Sequence, residues 1–234
     1  MNPILKLLKT LSLVLLCAFI ALHGTAQVKT KGKHKLAAPK PKPAVVISEQ
    51  LAEFKRITNR ANADFIMPQG FKEIPAVNNE DFSFDYAMEI PGKDFEVWFQ
   101  VRSQKENWAS YERVMGDEKL KLANPDSVYI EIGKAQASAL TGDQSSFTKN
   151  LPATVLNRYR ADAGKSYMLN LLDLPDTKRY QYALLITLQK YHTGNIVMIC
   201  FTNEKNPEFF KNVDKAGNSL KFRQSATIVN KLAD

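Results

Sequence analysis

The sequence predicts an α+β fold, a sandwich built on an antiparallel sheet. Three observations predict it. Strand-like runs come in neighbouring pairs joined by short turns, which means antiparallel pairing. Helical and strand-like segments are clustered, in the order helix, two strands, two helices, three strands, helix. Two runs, "YALLITL" and "IVMICF", are apolar on both faces, as strands covered from both sides must be.

The first element is a helix, "SEQLAEFKRITNRANADF". Ser48 is placed to cap it, and Glu49 and Glu53 lie in early turns, where the helix dipole favours acids. Leu51, Phe54, Ile57 and Ala61 make one apolar stripe, and "MPQG" ends the helix. In "DFSFDYAMEI", Phe82, Phe84, Tyr86, Met88 and Ile90 alternate with Ser83, Asp85, Ala87 and Glu89, the period of a strand with one buried face. "PGKD" is a turn. In the next strand, "FEVWFQV", Phe95, Val97, Phe99 and Val101 share one face and Trp98 takes the other.

Trp108 to Leu122 reads as a helix or a long covering segment. "NPDSVYIEIGKAQASALTG" reads as a helix, with Pro125 near its start and Val128, Ile132, Ala135 and Ala139 at helical spacing. Gly133 and the β-branched "VYIEI" work against it. After "LPATVLNRYRADAG" come three strands, "KSYMLNLL", "RYQYALLITLQKY" and "NIVMICFT". "HTG" joins the last two, with Gly194 suited to a tight turn. A short helix, "NPEFFKNV", and a final strand, "SLKF", complete the domain.

The chain opens with Lys6 and Lys9, then the apolar run "TLSLVLLCAFIAL" and the small-residue segment "HGTAQ". The run falls short of the roughly 20 residues a spanning helix needs. It reads as a signal peptide over residues 1–26, cleaved after Ala26, so that the protein is exported to the periplasm or beyond. An uncleaved anchor and a lipoprotein at Cys17 are the weaker readings, the second because the apolar run continues past the cysteine. Residues 27–43 form a Lys/Pro-rich tether. Its lysines repel and Pro39, Pro41 and Pro43 favour extension, giving a reach on the order of 50 Å at about 3.1 Å per residue. The remaining residues, 44–234, suit a single domain by length. With Cys200 as the one cysteine after the leader, an internal disulfide is excluded and a hydrophobic core must supply the stability.

The formal net charge of +8 is misleading as a guide to partners. Eight of the 32 basic residues precede Ala44, with no acid among them, which leaves 24 bases against 24 acids. The domain is formally neutral, so nothing predicts a nucleic-acid surface. The tether is expected to make at most weak contact with anionic envelope surfaces.

The motifs argue against familiar chemistries. "YRADAGKS" ends like a phosphate-binding loop, but Tyr159 stands where the first glycine belongs, and the following run reads as a strand. The bland reading is a turn in which Asp162 and Gly164 shape a strand entry. His192 and Cys200 cannot form a nucleophile pair. On a hairpin they lie roughly 20 Å apart at about 3.3 Å per residue, and Cys200 reads as a small buried hydrophobe. One histidine and one cysteine in the domain also argue against a zinc site, and no cofactor is expected. Carboxylates such as Asp173 and Asp176, or Asp117 and Glu118, show no acid–base spacing, and "DLPD" is explained as a turn. Trp98, Phe95, Phe99, Tyr180 and Tyr182 read as core before ligand pocket. Trp108, outside the regular strands, is the aromatic expected at the surface. Trp108, Asp162 and Gly164 are therefore the candidate binding residues, with no catalytic or metal-binding candidate.

The chain resembles the PsbP-like superfamily between about Ala44 and Phe222. The residues that carry the resemblance are "GFKEIP", the hairpin "FSFDYAMEIPGKDFEVWFQVR", the "ADAG" turn and the pair "YALLITLQKYHTGNIVMICFTNE". That superfamily includes a photosystem II extrinsic subunit, a Ran-binding nuclear transport factor and many small exported bacterial proteins of unknown function. In the exported members an aromatic residue often stands where this chain has Ala163. The resemblance implies an α/β/α sandwich and a non-catalytic tendency, and it carries over no site. The expectation is an exported binding or accessory domain of the cell envelope that meets a partner protein or a small ligand. The alternative is an envelope hydrolase using cleft carboxylates.

Overall fold

A computed structural model of the chain describes residues 47–117, 122–142, 146–177 and 180–224. The leader and tether expectations lie outside the described residues. Helix α1 (Glu49–Arg60) opens the fold, and Ser48 caps it by accepting a hydrogen bond from the Leu51 N–H at 3.0 Å. The Gln50 side chain then ties the helix start to the sheet edge, donating to Ile74 O and accepting from Ala76 N–H.

Seven strands form one antiparallel sheet. They are β2 (Lys72–Ile74), β3 (Tyr86–Glu89), β4 (Glu96–Ser103), β5 (Phe147–Asn150), β6 (Ala163–Asn170), β7 (Tyr182–Lys190) and β8 (Gly194–Thr202). Their order is β2-β3-β4-β8-β7-β6-β5. A separate two-stranded ribbon pairs β1 (Ala63–Phe65) with β9 (Leu220–Phe222), the strand expected from "SLKF". The remaining helices are α2 (Lys105–Val114), α3 (Val128–Thr141), α4 (Ala153–Tyr159) and α5 (Pro207–Gly217).

The sheet separates two hydrophobic layers. On one face Phe54 of α1, Tyr159 of α4 and Phe209 and Val213 of α5 pack with Tyr86, Phe99, Val101, Leu188, Met198 and Cys200. On the other face Ala137 and Leu140 of α3 pack with Trp98, Tyr167, Leu185, Val197, Ile199 and Phe201. This is the expected α+β sandwich, and Cys200 is fully buried within it. Burial pushes the Cys200 thiol well above its ordinary range.

Several sequence expectations need correction. The alternation from Phe82 to Met88 does not describe one buried face. Tyr86 and Met88 lie in the first layer, whereas Phe82 and Phe84 lie in the second, against Trp98. The ladder starts only at Tyr86. Before it, the Asp85 carboxylate accepts from Val101 N–H at 2.7 Å and from Arg102, taking the place of a backbone partner. Phe84 N–H instead bonds Val77 O, which folds that segment across the opposite face. In α3 the buried line is Gly133, Ala137, Leu140 and Thr141, while Ala135 and Ala139 are exposed. Gly133 belongs in the helix because Tyr167 crosses it, and a Cβ there would meet Tyr167 Oη at 2.6 Å. Among the described residues, the stretch around Trp108 is helical from Lys105 to Val114. Strands β1, β2 and β5 and helix α4 were not expected from the pattern.

Candidate functional site at the hairpin end

The β7–β8 hairpin closes with a three-residue loop, Tyr191 to Thr193, between paired Lys190 and Gly194. His192 carries the left-handed backbone conformation, φ 58°, not Gly194. Gly194 is needed for a different reason. Its backbone passes so close to β4 that a Cβ would lie 2.7 Å from Arg102 O. A positive φ at a residue with a Cβ costs about 1 kcal/mol or more, so surrounding contacts must hold His192 in place.

Those contacts come from two elements far away in sequence. Asp126, in the short 3-10 turn Pro125–Ser127 ahead of α3, accepts from the His192 N–H at 2.8 Å through Oδ1. The same oxygen accepts from Gln189 Nε2 at 3.0 Å, and Asp126 Oδ2 lies 3.2 Å from His192 Nε2. On the other side, the Trp108 indole from α2 lies flat on the imidazole, with centroids 3.7 Å apart and planes 13° apart. Tyr111, one turn further along α2, adds a tilted ring 5.5 Å from Trp108. The chain reaches this place because Gln104 N–H donates to Thr193 O, fixing the start of α2 beside the turn.

The candidate residues divide. Trp108 is half-buried, not freely exposed, and it belongs to this constellation. Asp162, just before β6, flanks the same turn, accepting from Tyr191 N–H and from Lys190 Nζ, both at 2.8 Å. Gly164 does not belong. It sits inside β6, buried opposite Leu188, where a Cβ would lie 2.8 Å from Thr187 O and 2.8 Å from Leu151 Cδ1. Its role is packing and not strand entry. The phosphate-loop resemblance also dissolves, because Tyr159 ends α4 and Gly164, Lys165 and Ser166 lie in a strand.

Beneath His192 the sheet is polar. Gln189 and Asn195 are directly opposite each other on β7 and β8, 0% and 1% exposed. They share the α3-covered face with Val197 and Ile199 by strand alternation. Among the described residues, Gln189 Oε1 and both side-chain polar atoms of Asn195 have no hydrogen-bond partner. Sequence reading missed His192 and Asp126 as a pair. The available signal was two polar residues, Gln189 and Asn195, at facing positions in otherwise apolar strands.

A second feature is a cavity of about 330 Å³ lined by Ile74, Pro75, Val77, Glu89, Glu96, Trp98, Asp176, Thr177 and Tyr180. Glu89 and Glu96 are directly opposite on β3 and β4. Glu96 accepts from Trp98 Nε1 at 2.5 Å and from Tyr180 Oη at 3.4 Å. Among the described residues no three His, Cys, Asp or Glu side chains are grouped to hold a metal ion. No helix among them is long and apolar enough to cross a membrane. The chain matches no family model and no curated protein.

Proposed function

We propose that the chain is an exported, non-catalytic binding or accessory domain of the cell envelope, related in fold to the PsbP-like proteins. It engages an envelope protein or a small ligand through the hairpin end of its sheet. One observation carries this reading, the Trp108–His192 stack fixed by Asp126. An amphipathic ring held rigid at a surface offers contact area at low entropic cost. The imidazole meets the Asp126 carboxylate and the Trp108 ring.

The test is affinity capture from the native envelope with residues 27–234, tagged at the C-terminus. A species enriched by the wild-type chain and lost with Trp108→Ala supports the reading. Equal enrichment by both chains, or none above control, refutes it. Deleting Val28 to Pro43 in the same assay separates any electrostatic contribution of the tether.

The hydrolase reading keeps a footing in the cavity that Glu89, Glu96 and Asp176 line together. Hydrolysis of an envelope polysaccharide that falls at least about 100-fold in Glu96→Gln, the loss of one acid–base group, would replace the binding reading.

A further inference from the structure

An open cleft of about 570 Å³ lies next to the β7–β8 hairpin loop. Four chain segments meet there: the end of α4, the entry to β6, the end of β7 and the residues that follow β9. Its wall carries Arg160, Lys190, Arg223, Asp162 and two amides, Asn157 and Gln224.

Three bases therefore share the cleft with one acid, and their charges are unequally committed. Asp162 takes Lys190 Nζ through Oδ1 and the Tyr191 N–H through Oδ2. Arg223 donates to Asp64 from Nε and Nη2, and to Asn59 from Nη1. Among the described residues the Arg160 guanidinium has no ion-pair or hydrogen-bond partner. One positive charge on the cleft wall is thus uncompensated. Spare donors line the same space, because Lys190 keeps two of its three N–H groups and Arg223 two of its five.

Arg160 is not the residue that local structure would select. It follows the last turn of α4 with φ 55°, where its N–H donates to Asn157 O and the Ala161 N–H donates to Leu156 O. Such a left-handed position after a helix ordinarily goes to glycine or asparagine, since a longer side chain is strained there. Strain of this kind gathers at ligand sites. What the arginine adds is a planar, permanently charged fork of donors, matched to two oxygens of one anion.

We infer that this cleft binds the carboxylate or phosphate group of a small ligand. Arg160 takes two oxygens of the anion, and the spare N–H groups of Lys190 and Arg223 take the rest. Asp162 positions the Lys190 ammonium and is neutralised by it. The site goes beyond the reading above, because none of its three bases belongs to the Trp108–His192 stack.

The experiment is a heteronuclear NMR titration of the purified chain at low ionic strength. Its probes are phosphate, glycerophosphate, succinate and citrate, each compared with sodium chloride at matched ionic strength. The expected result is saturable movement of the Ala161, Asp162 and Tyr191 amide signals with at least one probe, and not with chloride. Arg160→Asn should weaken binding by about tenfold or more, the loss of a charge-assisted pair of hydrogen bonds. The same variant should keep or raise Tm, because asparagine tolerates the left-handed backbone. Lys190→Gln should also weaken binding by about tenfold or more, the loss of one hydrogen bond to a charged group. Lys134→Gln removes the same charge from α3, over the opposite face of the sheet, and should leave affinity unchanged. Saturation by phosphate and glycerophosphate alone identifies a phosphate site, and saturation by succinate and citrate alone a carboxylate site. No saturable movement beyond that with chloride, or wild-type affinity in Arg160→Asn, overturns the inference. An equal loss in Lys134→Gln overturns it too, since the effect would then be one of bulk charge.

Discussion

Replacing Gly164 with alanine adds one methyl group where the sheet has no space for it. The new carbon would stand 2.8 Å from Leu151 Cδ1, 3.2 Å from Leu188 Cδ2 and 2.8 Å from Thr187 O. The leucine ends can shift. The Thr187 carbonyl cannot, because it belongs to β7, which is paired with β6 from Tyr182 to Gln189. Overpacking of this sort costs about 1–3 kcal/mol. Against it, alanine removes the entropic penalty of glycine in a strand, about 0.5–1 kcal/mol. The net expectation is a loss of about 1–2 kcal/mol, from the difference of those two terms. In a domain of this size that lowers Tm by about 3–6 °C. Thermal and urea unfolding followed by circular dichroism measure it. A second variant, Gly164→Ala with Leu151→Ala, should not recover the loss if the carbonyl is the obstacle. A Tm at or above the wild-type value would refute the packing account and return Gly164 to the list of binding residues.

Other perturbations read out different parts of the fold. Cys200, buried with its thiol pushed up, should react with a thiol reagent only as fast as the domain unfolds, and rapid labelling of the native protein would contradict its place in the core. Burial, and next Cys200, push the Tyr159 phenol above its ordinary value of 10. A raised folded value means its stabilisation is complete below pH 10 and is lost as pH climbs above it, since the unfolded phenol ionises first. Tyr159→Phe should therefore flatten the alkaline fall of the urea midpoint above about pH 10, and an unchanged slope would refute this. Asp126→Ala should cost about 2 kcal/mol by removing the acceptor of His192 N–H and Gln189 Nε2. It should also speed amide exchange at His192, while exchange in β8 stays slow until global unfolding. Equal protection at His192 in variant and wild type would show that Asp126 does not hold the turn.

Local chemistry was readable where local chemistry decides. Ser48 before an amphipathic run became a cap, and Phe95 to Val101 alternated as a strand because both of its faces are packed. Phe82 and Phe84 continued the same alternation, yet they cross to the other face. Periodicity cannot register a ladder that begins at Tyr86 because the Asp85 side chain has replaced a backbone partner. Strand β5 escaped because all four of its residues are exposed, so it has no buried face to write a pattern. Trp108 was found as an aromatic outside the regular strands, and Asp162 as a residue shaping a turn. Their common neighbour His192 was considered only together with Cys200, which is buried in the first layer. Asp126 is 66 positions from His192, and "NPDS" is equally well explained as a turn.

The β1–β9 ribbon gives the domain a seam between its two ends. Arg223 donates to Asp64 across 159 positions of chain, and Ala63 pairs with Phe222. Phe222 and Leu220 seal the same layer that Phe54 and Phe65 enter from the beginning. A chain emerging start-first therefore cannot close this layer until β9 is free. Loop-closure entropy on that scale makes this pairing one of the most non-local in the fold. Until Leu220 and Phe222 pair, Phe54 and Phe65 lack part of the apolar surface that covers them in the folded domain.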